Sequence, residues 1–307
     1  MRAITFYFIT GLLNILSLLP LKVLYLFADF IAWLLFNIIR YRKSIVYENL
    51  ASSFPSKNSE ELSQIMRRFY SHFADLLVET LKLLHLSQTE LSKHIQYENP
   101  EILEHLHTEG RHAIVLTAHL GNWEWLLGLT SASPYHTMSV YKPLSDKRFD
   151  TFFNKVRSRF GTSMVSMRGT IREILKYQEN NLQTLSCFIA DQSPVWEETQ
   201  YWTTFMNQQT AVYLGFEKIA RKTNQAVLFY QVKKIKRGRY TVRIIPITEN
   251  PKELPPYAIT DKYLSLLESA IREDPACWLW THNRWKLTKR KQYLMQTKGP
   301  NKNVKFN

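Results

Sequence analysis

The run Ala113-Ile114-Val115-Leu116 constrains this chain more than any other stretch. Four consecutive apolar residues between polar flanks read as a buried strand. Thr117-Ala118-His119-Leu120-Gly121-Asn122-Trp123-Glu124-Trp125 follows, and then Leu126-Leu127-Gly128-Leu129, which reads as a helix. His119 therefore sits where a strand ends. Gly121 and Asn122 supply turn chemistry. Asn122 is placed to cap the helix, with Glu124 in its first turn. On one continuous helix, residues five apart diverge by about 140°. His119 and Glu124 can meet only if the chain turns between them, which the glycine permits. A histidine held by a carboxylate at such a corner is a general base with its orienting group.

The same residues have a plainer reading. A histidine beside a tryptophan is more often packed and hydrogen-bonded, and a glutamate at a helix start more often serves the helix dipole. Spacing alone favours that reading. Position argues the other way, because open α/β sheets place their sites at the carboxyl ends of buried strands.

The totals narrow the partners. The chain has 307 residues, 45% of them hydrophobic, enough for a large core. A net charge of +14 calls for an acidic partner: nucleic acid, anionic lipid or an acidic carrier protein. Cys187 and Cys277 are the only cysteines. Two isolated thiols build neither a disulfide framework nor a zinc site, and a reducing compartment fits them.

From Ala3 to Leu21 there is no charge, close to the length that spans a bilayer. Lys22 and Asp29 interrupt, and Ile31–Phe36 resumes the apolar run. Tyr7, Trp33 and Tyr41, with Arg40, Arg42 and Lys43 beyond, suit a membrane interface. A pair of buried core helices is the competing reading. Residues 1–43 are taken as a membrane anchor that spans, turns back about Pro20, or lies in the interface.

A helix is expected from about Ser59. Its stripe of Leu62, Ile65, Met66, Phe69, Phe73, Leu76 and Leu77 is amphipathic, and Glu79 on it reads as a solvated glutamate. Strands are expected over 137–141, 183–190, 226–233 and 240–247, the last two joined around Gly238. Helices are expected over 146–160 (ending at Gly161), 171–177, 212–222 and 259–273. Arg157 and Arg159 fall where arginines suit a helix dipole. Asp191-Gln192 is a second polar pair at a strand end. The aromatic segment 195–207 reads as a loop, apt as a lid or lipid-facing flap. From Thr281 onward there are eight Lys or Arg and no acid. The interleaved tryptophans suit an anionic membrane surface.

Taken together, these landmarks resemble the late acyltransferases of bacterial lipid A biosynthesis, within the lysophospholipid acyltransferase superfamily. The resemblance rests on the apolar N-terminus, Asn49-Leu50 with Phe54-Pro55, Glu79 and His119-x4-Glu124. It continues with Tyr141-Lys142-Pro143-Leu144, Arg157-x-Arg159-Phe160-Gly161, Ala190-Asp191-Gln192 and His282-Asn283-Arg284-Trp285-Lys286. It implies an α/β fold with a central mixed sheet flanked by helices. Residues 44–296 would form the catalytic domain, and 297–307 a basic, disordered tail. It also implies transfer of a fatty acyl group from a thioester of acyl carrier protein or coenzyme A to a hydroxyl of a lipid A precursor. The setting would be the cytoplasmic face of a bacterial inner membrane, with no metal or other cofactor. His119 would be the base and Glu124 its orienting carboxylate. Backbone N–H groups near Gly121–Trp123, or a basic side chain, would hold the oxyanion, and Arg159, Asp191, Gln192 and Arg284 would contact substrate. Two departures, Phe205-Met206-Asn207-Gln208-Gln209 and the triplet Asp191-Gln192-Ser193, bear on the acceptor and chain length more than on the reaction.

A phospholipid or aminolipid acceptor would need the same dyad. A nucleic-acid-binding protein would explain the charge, but not the uncharged N-terminus or the lack of a binding motif. A serine hydrolase would need a Gly-x-Ser-x-Gly elbow, which the chain lacks.

Overall fold

The computed structural model describes residues 3–298. The chain opens with four helices, α1 (Ala3–Leu18), α2 (Leu21–Trp33), α3 (Lys43–Ser53) and α4 (Ser59–Lys82). Pro20 separates the first two, and a π-helical turn, Leu34–Ile38, extends α2. Asn58 starts α4 with a capping box: its side chain accepts from the Glu61 N–H, and the Glu61 carboxylate accepts from the Asn58 N–H.

Short α5 (Gln88–Leu91), β1 (Ile95–Tyr97) and α6 (Glu101–Thr108) lead into the sheet. Then come β2 (Ala113–Thr117), a 3-10 helix (Trp123–Ser131), β3 (His136–Tyr141), α7 (Lys147–Ser158), β4 (Ser163–Ser166), α8 (Thr170–Glu179) and β5 (Thr184–Ile189). The remainder is β6 (Tyr201–Phe205), β7 (Gln208–Val212), α9 (Gly215–Thr223), β8 (Ala226–Lys236), β9 (Arg239–Thr248), α10 (Ala258–Glu273) and α11 (Lys286–Lys298).

Seven strands form one mixed sheet in the order β1-β9-β8-β2-β5-β3-β4, with β8 and β9 the antiparallel pair. β2 lies at its centre, and every residue of that strand is buried. Its alternate side chains enter two cores. Ile114 and Leu116 pack with residues of α3, α4 and α10, while Ala113 and Val115 pack with residues of α5, α6 and the 3-10 helix. The fold is thus the expected helix-flanked mixed sheet.

The aromatic segment differs from the expected loop. It is a β6–β7 hairpin turning at Met206 and Asn207, both at positive φ (50° and 61°), the conformation that matches the twist of a two-residue hairpin. Phe205 and Met206 are buried in the main core, so the hairpin tip is packed rather than free as a flap.

The N-terminal helices are fastened to the body. Leu24 and Ala28 of α2 pack on Ala74 and Val78 of α4. Lys82 Nζ donates to the carbonyls of Ser17 and Leu19, 2.9 Å each, tying down the corner at Pro20. The outer face stays apolar and open, with Ile4, Tyr7, Phe8, Ile15, Leu26, Phe30 and Trp33 exposed. Among the described residues one stretch, Leu21–Ile38, is long and apolar enough to cross a membrane. The tail expected over 297–307 begins at the end of α11, and beyond Lys298 it lies outside the described residues.

Candidate active site

Sheet register brings the site together. β2 and β5 are parallel neighbours with Thr117 opposite Ile189. Two residues past each strand end stand His119 and Asp191. The Ala190 N–H donates to the Thr117 carbonyl at 3.0 Å, which carries the ladder past the strand ends. His119 Nδ1 then lies 2.8 Å from Asp191 Oδ1, and the His119 backbone N–H donates to Oδ2 at 3.1 Å. Trp278 Nε1 also donates to Oδ2, at 2.8 Å.

Asp191 is only 3% exposed. Burial alone would raise its carboxyl. The His119 charge, its two hydrogen bonds and the Trp278 indole outweigh burial and hold it below the usual carboxylate range. A carboxylate on Nδ1 assigns the ring proton there, which leaves the Nε2 lone pair directed outward. Gln192 Nε2 lies 3.3 Å from that atom. The Trp123 ring meets the imidazole edge-on at 4.8 Å, and the His119 side chain keeps 17% exposure.

The corner after β2 is rigid. Gly121 has φ +59°, and a Cβ there would lie 2.8 Å from Val232 Cγ1, so both backbone conformation and space require glycine. Its N–H donates to the Cys277 carbonyl at 2.9 Å, and the Leu279 N–H donates to the His119 carbonyl at 3.1 Å. The corner is thus stitched to the tryptophan-rich segment as an extra rung. Asn122 caps the next helix as expected, accepting from the Trp125 N–H at 3.1 Å. That helix is 3-10 rather than α.

Glu124 is not the group that holds the imidazole. Its carboxylate forms a fork with Arg157 of α7, Nε to Oε2 at 3.0 Å and Nη2 to Oε1 at 2.6 Å. The glycine does turn the chain, but the turn directs Glu124 to Arg157, while the sheet supplies Asp191 to His119. The expected oxyanion donors need the same correction at Gly121, whose N–H is already given to Cys277.

The other expected contacts fall in different places. Gln192 is exposed and touches the His119 imidazole. Arg159 donates to the Leu83 carbonyl at 3.3 Å and to that of Leu84, which fastens α7 to the end of α4. Arg284 is 1% exposed and donates to the Ala211 carbonyl at 2.9 Å. Burial lowers its guanidinium to about 10 against the opposing pull of Asp191. Closed off from solvent, Arg284 is not placed to face a substrate, and its charge favours that of Asp191. Neighbouring His282 is pushed down to about 4 by burial, and its neutral Nε2 accepts from the Ser193 N–H at 3.2 Å. Among the described residues no group of three or more His, Cys, Asp or Glu side chains could hold a metal ion.

Glu79 corrects the reading of a solvated residue: it is fully buried. Tyr25 donates to its Oε1 at 2.8 Å, and Asn122 and Tyr240 donate to its Oε2 at 2.7 and 2.8 Å. The signal was present, since Glu79 stands three residues after Leu76 and continues the apolar stripe. Arg157 and Trp278 had no such marker, because their roles depend on partners far away in sequence.

An imidazole–carboxylate pair thus stands at the carboxyl end of a central sheet strand, with its second ring nitrogen beside the Gln192 amide. The sequence profile of the family described as bacterial lipid A biosynthesis acyltransferase matches residues 1–287. The chain belongs to that family and is an enzyme that transfers acyl groups. No curated protein matches it.

Proposed function

We propose that this acyltransferase moves a fatty acyl group from a thioester to a hydroxyl of a lipid A precursor at a membrane surface. The carrying observation is the 2.8 Å contact between His119 Nδ1 and Asp191 Oδ1, which leaves Nε2 available as a base. His119 Nε2 takes the hydroxyl proton as the oxygen attacks the thioester carbonyl. Asp191 fixes the tautomer and stabilises the imidazolium. The tetrahedral intermediate collapses with loss of the C–S bond, and the imidazolium returns the proton to the leaving thiolate. The Gln192 amide is the polar group nearest the base and the candidate donor to the oxyanion. Glu124 holds the Nε and Nη2 side of Arg157, and the Nη1 edge of the guanidinium is the candidate contact for a phosphate on the acceptor.

The open apolar face of α1 and α2 supports attachment to a membrane. Trp33, Tyr41, Arg40, Arg42 and Lys43 lie at one end of that face, as at a bilayer interface. The side facing the body is fastened by hydrogen bonds and packing, so the helices would lie along the surface with the sheet domain beside it, on the cytoplasmic face of an inner membrane. On the body side Phe6 of α1 meets Phe149 and Phe152 of α7 at 5.1 and 6.4 Å. The apolar face therefore adjoins the helix that carries Arg157. The positive charge suits an acidic carrier protein as donor.

The test is transfer of a labelled acyl chain, with acyl carrier protein and coenzyme A thioesters compared as donors. Lipid A precursor, phospholipid and aminolipid are compared as acceptors, with products read by mass spectrometry. Turnover on the lipid A precursor that vanishes in His119→Ala supports the reading. Product only on another acceptor, or undiminished turnover by His119→Ala, overturns it.

A further inference from the structure

We propose that Glu79 is a positioning residue, the joint through which helix α2 fixes the corner that carries His119. The inference rests on the reading of His119 as the base. Glu79 gathers donors from three parts of the chain: Tyr25 on α2, Tyr240 on β9, and Asn122 in the corner itself. Its backbone carbonyl takes a fourth, from Trp125 Nε1 at 3.2 Å. Asn122 is thereby held at both ends. Its amide is given to Glu79, and its carbonyl oxygen caps the helix that starts beside His119. With Asn122 held by Glu79, and with Gly121 and His119 pinned by their backbone bonds to Cys277 and Leu279, the corner has little freedom to carry the imidazole away from Asp191.

The α2 end of the joint is equally defined. The Tyr25 hydroxyl lies over Gly238, at φ +70°, where any Cβ would collide with it. Arg237 lies over the Tyr25 ring at 4.5 Å and donates to the Tyr25 carbonyl at 3.3 Å. The same guanidinium bonds Asp29 of α2 at 2.6 Å and Asp75 of α4 at 2.7 Å. A side chain on the opposite face of the apolar α2 surface is thus two hydrogen bonds from the residue that caps the corner. All three side-chain partners are donors, so the position needs an acceptor. A glutamine meets that need in part: its oxygen serves Asn122 and Tyr240, and the Tyr25 hydroxyl reverses to accept from the amide.

The experiment compares kcat, KM and melting temperature for full-length Glu79→Leu, Glu79→Gln and Tyr25→Phe, with His119→Ala alongside. Glu79→Leu should lower kcat about 100-fold, the scale of a 1 Å misplacement. Tyr25→Phe should lower it about five- to tenfold. Both should leave the KM for the thioester within about twofold, because binding is not what the joint serves. Glu79→Gln should recover most of the rate. If Glu79→Leu does not fold, Tyr25→Phe and Glu79→Gln decide. A folded Tyr25→Phe with wild-type kcat overturns the inference. So does Glu79→Gln with kcat below that of Tyr25→Phe, which would mean that the charge itself acts. If His119→Ala keeps full turnover, the reading of the base has failed instead, whatever the joint does.

Discussion

Asp191 and Glu79 are both buried carboxylates, at 3% and 0% exposure, yet their carboxyls are shifted in opposite directions. Asp191 is held below the ordinary carboxylate range, whereas Glu79 is raised to about 6. Burial pushes both upward. Asp191 faces an imidazole that can become a cation, besides two N–H donors. Glu79 has three neutral donors and feels the nearby Asp75 charge, and together the donors do not cancel the desolvation. A chargeable partner therefore decides which buried carboxylate can support an imidazolium. On the proposed reading the two sites divide the labour: Asp191 serves the proton, and Glu79 serves the geometry.

The sharpest way to break that division is to remove its reacting half. His119→Ala should lower kcat by about 10³-fold or more, and Asp191→Asn by about 10²- to 10⁴-fold, since an amide on Nδ1 favours the wrong tautomer. Single-turnover acyl transfer measures both. Equal rates for Asp191→Asn and wild type would show that the imidazole does not depend on this carboxylate.

Glu124 gives the next largest contrast, in its choice between two partners. If its work is to hold Arg157, then Glu124→Gln and Arg157→Ala should weaken transfer alike, by about 10- to 100-fold. The loss should lie mainly in the KM of a phosphorylated acceptor, as for a charge-assisted contact. If Glu124 instead acts on His119, Glu124→Gln should follow Asp191→Asn in kcat and Arg157→Ala should not. Steady-state kinetics over a range of acceptor concentrations separates the two.

The fate of Glu124 shows what could be read from the chain and what could not. Periodicity and turn chemistry located β2, β3, β5 and the β8–β9 hairpin, because each rests on residues adjacent in sequence. They also placed His119 and Asp191 each at a strand end. What they could not supply was the register that sets Thr117 opposite Ile189 across 72 positions. Without it the nearest acid in sequence, Glu124, stood in for the nearest acid in space. Glu79 was misjudged for a related reason. The apolar stripe points to its burial, but the donors that make a buried carboxylate tolerable, Tyr25, Asn122 and Tyr240, lie on three separate segments. The β6–β7 hairpin was missed because its turn residues, Met206 and Asn207, reach positive φ without the glycine that usually announces such a turn.

The Glu79 state predicts a stability effect of the next size down. An unfolded glutamate titrates near 4.5 and the native one near 6. Below pH 4.5 both are protonated and the native state loses nothing. Between 4.5 and 6 the unfolded chain ionises first, so stability falls as pH rises, and above 6 the loss is complete at about 2 kcal/mol. Glu79→Gln has no such titration. Its stability relative to wild type should therefore improve by about 2 kcal/mol from pH 4.5 to pH 7, read from urea unfolding. Buried neutral His72 and His282, lowered to about 3 and about 4, act on both proteins alike and weaken them as pH falls below 6.5. They therefore cancel in the comparison.

The smallest effect concerns Trp278, a side-chain donor to Asp191 that takes no proton. Trp278 Nε1 bonds Oδ2, the oxygen that also accepts the His119 N–H. Trp278→Phe removes that donor, keeps an aromatic ring, and leaves a cavity of about one small ring. Asp191 then loses one of the forces opposing burial, so its carboxyl should titrate higher and support the imidazolium less. A hydrogen bond to a charged group is worth about 1.5–3 kcal/mol. Because the imidazole still holds the carboxylate, only part of that should reach the transition state, giving about a three- to tenfold loss in kcat. Adding Trp278→Phe to Asp191→Asn should then cost much less than it does in wild type, since the charge it served is gone. Additive losses in the double variant would show that Trp278 supports the corner through packing alone.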